Sequence, residues 1–292
     1  MKKKLLAAAV LAALTISTSS IFAAAPAFSG DARIEYQKNS GADKTITNRI
    51  RLAMDNQIDN NIYLHGRMIM NNNMDVNGAS SSTADNTVKF EQGYIGFKFD
   101  NADLKIGKQP VFVGHGLLAD VNGVSGAKLS TTFDKASFSA FSGKDASESV
   151  TALDLGTSIG DWNVGASYLD KGDAYYGINA STKVAPNAVL NMEYVKNNDQ
   201  KASGYWAEVK FGKAVKKGDF DYSLAYVNIA DKAVDSGYVT EDHFANSKGF
   251  RATAHYAVSN NSTLTVYQDL FKQASDDSVT KNRTDVEYSV RF

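Results

Sequence analysis

Period-two alternation runs through most of this chain and leaves few folds open to it. Between clusters of Gly, Asn, Asp and Ser, about sixteen segments alternate apolar with polar side chains. They lie near residues 28–38, 45–56, 61–71, 87–100, 102–112, 123–133, 135–143, 150–159, 161–170, 174–184, 187–197, 203–213, 218–229, 247–257, 262–272 and 281–292. None carries an apolar stripe at helical spacing, so they read as strands. Fourteen strands is the alternative count. Strand 4 changes phase around Gln92-Gly93, which a bulge at Gly93 would repair.

The connections sort by length. After even-numbered segments they are mostly tight, as at Asp100-Asn101, Phe133-Asp134, Gly160-Asp161, Ala185-Pro186 and Asn260-Asn261. After odd-numbered ones several are long and polar: 72–86, 113–122, 230–246 and 273–280. A soluble sandwich has no reason to sort its loops in this way, whereas a membrane barrel does. The apolar face of each segment agrees. Near the short-turn ends it carries Phe28, Phe99, Phe133, Trp162, Phe211, Phe220 and Phe292; near the long-loop ends it carries Tyr36, Tyr168, Tyr176, Tyr194, Tyr205, Tyr226 and Phe250. Between them lie aliphatics such as Ile34, Ile50, Ile106, Leu129, Ile178 and Leu224. Amphipathic rings suit the bilayer interface and aliphatics suit hydrocarbon. Lys108 and Gln268 break the pattern, and Lys108 is placed to snorkel to a rim. The predicted fold class is all-β: a transmembrane antiparallel up-and-down β-barrel of about 16 strands.

Both chain ends point to export. Met1 to Lys4 is basic, Leu5 to Ile16 apolar, and Ala23-Ala24-Ala25-Pro26-Ala27 a small-residue zone, so 1–27 reads as a signal peptide cut after Ala27 and 28–292 as the barrel. The formal charge of −1 falls to −4 without Lys2, Lys3 and Lys4, which gives nucleic acid no basic surface. Cysteine is absent, leaving no disulfide or thiolate metal site. No run beyond the leader approaches the roughly 18 apolar residues of a membrane helix. At the other end Tyr288, Val290 and Phe292 alternate with polar residues and finish in an aromatic. That is the signal the outer-membrane assembly machinery reads, so the expected surroundings are outer-membrane lipid.

The opposite parity is polar. Strands 1 to 6 contribute Arg33, Arg49, Arg51, Arg67, Lys105 and Lys128, and strands 11 to 16 contribute Glu193, Glu208, Asp221, Asp269, Asp285 and Glu287, interrupted by Lys210, Arg251 and Arg291. A barrel of roughly sixteen strands is wide enough to hold water. A basic wall facing a more acidic one would set a transverse field across that water, favouring small polar solutes. Crowded like charges on adjacent strands cost energy, which points to a pore-lining role for the four arginines.

On Leu104-Lys105-Ile106-Gly107-Lys108-Gln109-Pro110 and on the closing Glu287-Tyr288-Ser289-Val290-Arg291-Phe292, the chain resembles the bacterial general porins. The first stretch is similar to the family's fifth-strand segment leading into the third external loop, the second to its terminal strand. The resemblance implies a water-filled channel for passive diffusion of small hydrophilic solutes and ions, and a homotrimer. It also implies a third loop, 113–122, folded into the barrel, with Asp120 facing Arg33, Arg49, Arg51 and Arg67. Here that loop is short and lacks the family's acidic Pro-Glu-Phe-Gly-Gly type motif, so 72–86 and 230–246 are the alternative segments to cover the mouth.

Chemistry is sparse elsewhere. His65, His115, His243 and His255 have no metal-ligand spacing, and no cofactor is expected. Gly156-Thr157-Ser158-Ile159-Gly160 matches a nucleophile-elbow pattern, but strand-like sequence follows where a helix is required. The chain is therefore not expected to be an enzyme. The alternative function is a structural or enzymatic outer-membrane barrel with a plugged lumen.

Overall fold

A computed structural model describes residues 25–74 and 88–292. Most of the expected signal segment and of loop 72–86 lies outside the described residues. The strands are β1 (Ala27–Asn39), β2 (Lys44–Gln57), β3 (Ile62–Asn73), β4 (Lys89–Lys98), β5 (Ala102–Val113), β6 (Ala119–Phe133), β7 (Ala136–Asp145) and β8 (Glu148–Ile159). They continue as β9 (Trp162–Lys171), β10 (Asp173–Ala185), β11 (Ala188–Asn197), β12 (Ala202–Gly212), β13 (Phe220–Ile229), β14 (Ser247–Ser259), β15 (Ser262–Gln273), β16 (Asp276–Thr280) and β17 (Arg283–Arg291). From β1 to β15 each strand pairs antiparallel with its sequence neighbours. The short β16 hangs on β15, while β17 pairs with both β15 and β1, so sixteen full strands close on themselves.

Closure leaves no open sheet edge, the condition for satisfying backbone groups in lipid. At the seam Gly30 and Phe292 exchange both backbone hydrogen bonds, at 2.8 and 3.0 Å. Gly30 is required there: a Cβ would meet the Arg51 carbonyl at 2.5 Å and the Phe292 ring at 2.6 Å.

Alternate side chains face outward as the pattern predicts. Phe28, Phe99, Phe133 and Phe292 stand exposed at the rim of the short turns, and Tyr176, Tyr194, Tyr205 and Phe250 at the other. Ile178 and Leu224, at 61% and 54% exposure, lie between them. Such side chains are stable on the outside only against an apolar medium. The two polar exceptions are tied down. Lys108 Nζ donates to the Phe90 carbonyl at 3.1 Å, and the Gln268 amide donates to the Asp269 and Arg283 carbonyls while accepting from Thr284.

The bulge in β4 sits one to two residues before its expected place at Gly93. Arg67 pairs with Gln92 and Met68 with Phe90, so Glu91 is the extra residue. It returns Phe90 to the outer face and turns Glu91 and Gln92 together inward. Two loops expected to be long are largely strand. Pairing of β5 with β6 continues beyond Pro110, which has no N–H to give. The ladder shifts register opposite Asn122-Gly123 and resumes at Val111–Val121, so only 114–118 remain as the tip. The connection 273–280 likewise contains β16.

Candidate functional site

The inner face of β1 to β6 carries the six expected cations. Arg33 lies directly opposite Arg49, and Lys105 opposite Lys128. Repulsion among the arginines is relieved by carboxylates of the same wall. Arg49 pairs with Asp31 at 2.8 Å, and Arg33 with Glu35 at 2.9 Å and Glu287 at 2.8 Å. Glu91, brought inward by the bulge, takes Arg51 at 2.6 Å and Arg67 at 2.7 Å. The result is a polar but locally neutral ladder. It borders a cleft of about 540 Å³ lined by Asp31, Arg49, Arg51, His65, Arg67, Glu287, Ser289 and Arg291, at the rim holding Phe292.

Two segments fill the opposite half of the lumen. The β5–β6 hairpin bends inward until its tip reaches the far wall. Gly114 N–H donates to Asp154 Oδ1 at 3.0 Å, and the His115 and Leu117 N–H groups donate to Glu193 Oε2 at 3.1 and 3.0 Å. A buried carboxylate holding two backbone donors is a strong anchor. Gly114 has φ 65°, and a Cβ there would run into the buried Glu193 carboxylate, so both backbone and space demand glycine.

The second segment is 230–246, which contains a single 3-10 turn, Asp242–Phe244. It pairs with the hairpin: Thr240 N–H donates to the Gly116 carbonyl at 2.9 Å, and Asp120 N–H to the Tyr238 carbonyl at 2.6 Å. Leu117, Leu118, Val234, Val239 and Phe244 pack with the inward residues Phe141, Val150, Leu169, Val195, Val227 and Phe271 into one apolar cluster inside the barrel. Charge ties the segment to the wall. Arg251 takes Asp269 through two bonds, 2.6 and 2.8 Å, and lies 3.3 Å from Glu241. Arg283 reaches Asp242 at 3.3 Å and the Tyr267 hydroxyl at 2.6 Å. Burial pushes the Glu241 carboxyl up, with Arg251 and Arg283 pulling it back.

Asp120 is not brought to the arginines. Extension of β6 places it beside segment 230–246, where its carboxylate accepts from Thr240 Oγ1. Asn122 takes the expected position instead, accepting from Arg67 at 2.8 Å. The acidic wall is also largely engaged: Glu193 holds the hairpin, Asp269 holds Arg251, Asp285 accepts from Tyr267 at 2.9 Å, and Asp221 faces His255 at 2.6 Å. The inserted core was visible in the sequence as apolar residues on the inward parity of strands β8 to β15, such as Val150, Leu169, Val195, Val227 and Phe271. Reading that parity only for charge passes over it. Ser158 Oγ donates to Asn163 at 2.7 Å. Tyr288 on β17 and Phe292 just beyond its end stand on the outer face, 40% and 62% exposed.

No protein-family model matches the sequence, and neither does any curated protein. Solved structures do match in fold. A triple mutant of the Rhodopseudomonas blastica porin aligns with 91% of this chain and 100% of its own, at 10% identity and TM-score 0.65. Salmonella typhi OmpF in complex with daunomycin covers 91% and 97%, at 13% identity and 0.64. A loop L8 deletion mutant of OmpT, an outer membrane protein of Vibrio cholerae, covers 92% and 99%, at 13% identity and 0.59. The chain therefore has the general bacterial porin-type fold.

Proposed function

We propose that this chain is an outer-membrane channel through which small hydrophilic solutes and ions diffuse passively. The observation that carries the reading is the uneven filling of the lumen. The inserted hairpin and segment 230–246 pack against β7 to β15, while the ion-paired wall of β1 to β6 and β17 keeps its polar groups towards the interior. Charged groups remain there at low cost only if water reaches them. The two inserted segments set the narrowing, and polar solutes pass along the arginine ladder. No chemical step is involved.

The same reading places 28–292 in the outer membrane after removal of 1–27, with the β17 outer face offered to the assembly machinery. A homotrimer is supported by Asn48 and Asn72, which oppose each other on the outward parity of β2 and β3. They are polar side chains that a neighbouring copy would cover more readily than lipid. A plugged structural barrel is the second reading, because the apolar cluster occupies so much of the interior. Purified protein added to a planar bilayer separates the two: the channel reading expects stepwise ohmic conductance, and a silent membrane with correctly folded protein supports the plug.

A further inference from the structure

The connections at the short-turn rim differ in charge. Asp59, Asp100, Asp134 and Asp161 mark four of them, with Lys135 beside Asp134. The connection from β12 to β13, residues 213–219, is basic instead: Lys213, Lys216 and Lys217 are all exposed, against a single acid, Asp219. That acid is spent on the backbone, its Oδ2 accepting from the Val215 and Lys216 N–H groups at 3.3 and 2.8 Å. Asp221, the next carboxylate along the chain, takes the Ala214 N–H at 2.9 Å and His255 at 2.6 Å. Among the described residues no carboxylate lies within ion-pair distance of Lys213, Lys216 or Lys217.

The turn is fixed in place by its backbone. Lys217 N–H donates to Asn260 Oδ1 at 3.1 Å, Gly218 N–H to the Ala257 carbonyl at 2.8 Å, and Asp219 N–H to the Lys216 carbonyl at 2.8 Å. Gly218, at φ 91°, makes the bend. None of these bonds uses an ammonium group, so the lysine charges are left for something outside the barrel. Where the turn hangs says what that is. Phe211 lies two residues before Lys213, Phe220 directly follows Asp219, and both pack on Tyr222, at 5.0 and 6.0 Å between ring centres. Rings of this outer belt settle at headgroup depth, which brings the turn to the level of the lipid phosphates. Val215, 64% exposed among the lysines, adds an apolar contact that suits the membrane boundary better than open water.

We propose that turn 213–219 is a docking point for anionic phospholipid headgroups, with Lys213, Lys216 and Lys217 holding the phosphates and Val215 resting at the edge of the acyl chains. Ammonium groups at a lipid surface are drawn to anionic headgroups, and the attraction falls as salt screens it. The acidic turns elsewhere on the rim repel the same headgroups, so the barrel gathers anionic lipid at one place on its circumference. The proposal rests on the outer-membrane placement of the chain.

The test uses full-length protein reconstituted in phosphatidylcholine vesicles that carry a trace of spin-labelled phosphatidylglycerol or spin-labelled phosphatidylcholine as quencher. A fluorophore is attached to Asn261→Cys, next to the Asn260 that holds the turn, or to Asn101→Cys at an acidic turn of the same rim. Phosphatidylglycerol is expected to quench the Asn261→Cys reporter roughly three-fold more strongly than phosphatidylcholine, with no such difference at Asn101→Cys. Lys213→Gln, Lys216→Gln and Lys217→Gln together should bring that ratio to about one, as should high salt, while the three arginine replacements keep it. The comparison of the two reporters and the salt series decide the matter even if the glutamine variant does not fold. Equal quenching by both lipids at Asn261→Cys, the same preference at Asn101→Cys, or a preference that survives in the glutamine variant overturns the proposal. Absence of lipid preference, with retention on polyglutamate beads that the glutamine variant loses, also overturns it and assigns the turn to an acidic protein. If neither lipid quenches either reporter, the membrane placement itself fails, a result distinct from quenching without preference.

Discussion

Replacing Arg251 by alanine is expected to destabilise the folded barrel by about 3–5 kcal/mol, the range for removing one partner of a buried ion pair. Asp269 is 0% exposed and takes both of its short bonds from Arg251; Glu241 also loses the nearer of its two guanidinium neighbours and keeps Arg283 at 3.9 Å. The guanidinium further lies 4.5 Å from the centre of the Phe244 ring and 4.2 Å from that of Tyr267, so alanine also opens a gap between two aromatics. Urea unfolding in lipid vesicles, followed by the fluorescence of Trp162 and Trp206, measures the loss. Arg251→Met with Asp269→Leu removes both charges and should recover most of it, because the cost lies in the stranded carboxylate. Equal losses in the single and double variants would instead point to packing.

The second large effect concerns conduction. Replacing residues 231–245 by a two-residue Asn-Gly turn should raise single-channel conductance on the order of two-fold, since current scales with the open cross-section of a water-filled bore. The replacement removes Val234, Tyr238, Val239 and Phe244 from the lumen, along with the Thr240–Gly116 and Asp120–Tyr238 bonds that brace the hairpin. The hairpin keeps its own anchor on Glu193, which is 2% exposed, so a partial constriction should persist. Wild-type conductance in a variant that still shows heat-modifiable mobility would mean that 230–246 does not limit the bore.

The strand layout was legible because lipid and water face opposite sides of every strand, and period two records that contrast directly. The Glu91 bulge left a phase break one to two residues from its true position. The interior was less legible. Val150, Leu169, Val195 and Phe271 are inward yet apolar, since their partners are segments far away in sequence rather than water. Nothing local states that Leu117 will cross the barrel to join them. Asp120 was misplaced for a similar reason: strand pairing beyond Pro110 is decided by Val111, Val113, Ala119 and Val121 meeting a buried surface, while the eye follows the proline and glycines. Pairing of Arg51 and Arg67 escaped because Glu91 reaches the inner face only through the bulge.

Neighbouring side chains of one strand meet different media, water inside and lipid outside. The chain has no native cysteine, so a single thiol reports its own position. Ser289→Cys lies on the inner face and Ile34→Cys on the outer face, which 51% exposure of Ile34 marks as open. A bulky, charged, water-soluble thiol reagent should cut the bilayer current of Ser289→Cys in discrete steps and leave that of Ile34→Cys unchanged. Block at Ile34→Cys with none at Ser289→Cys would contradict the account.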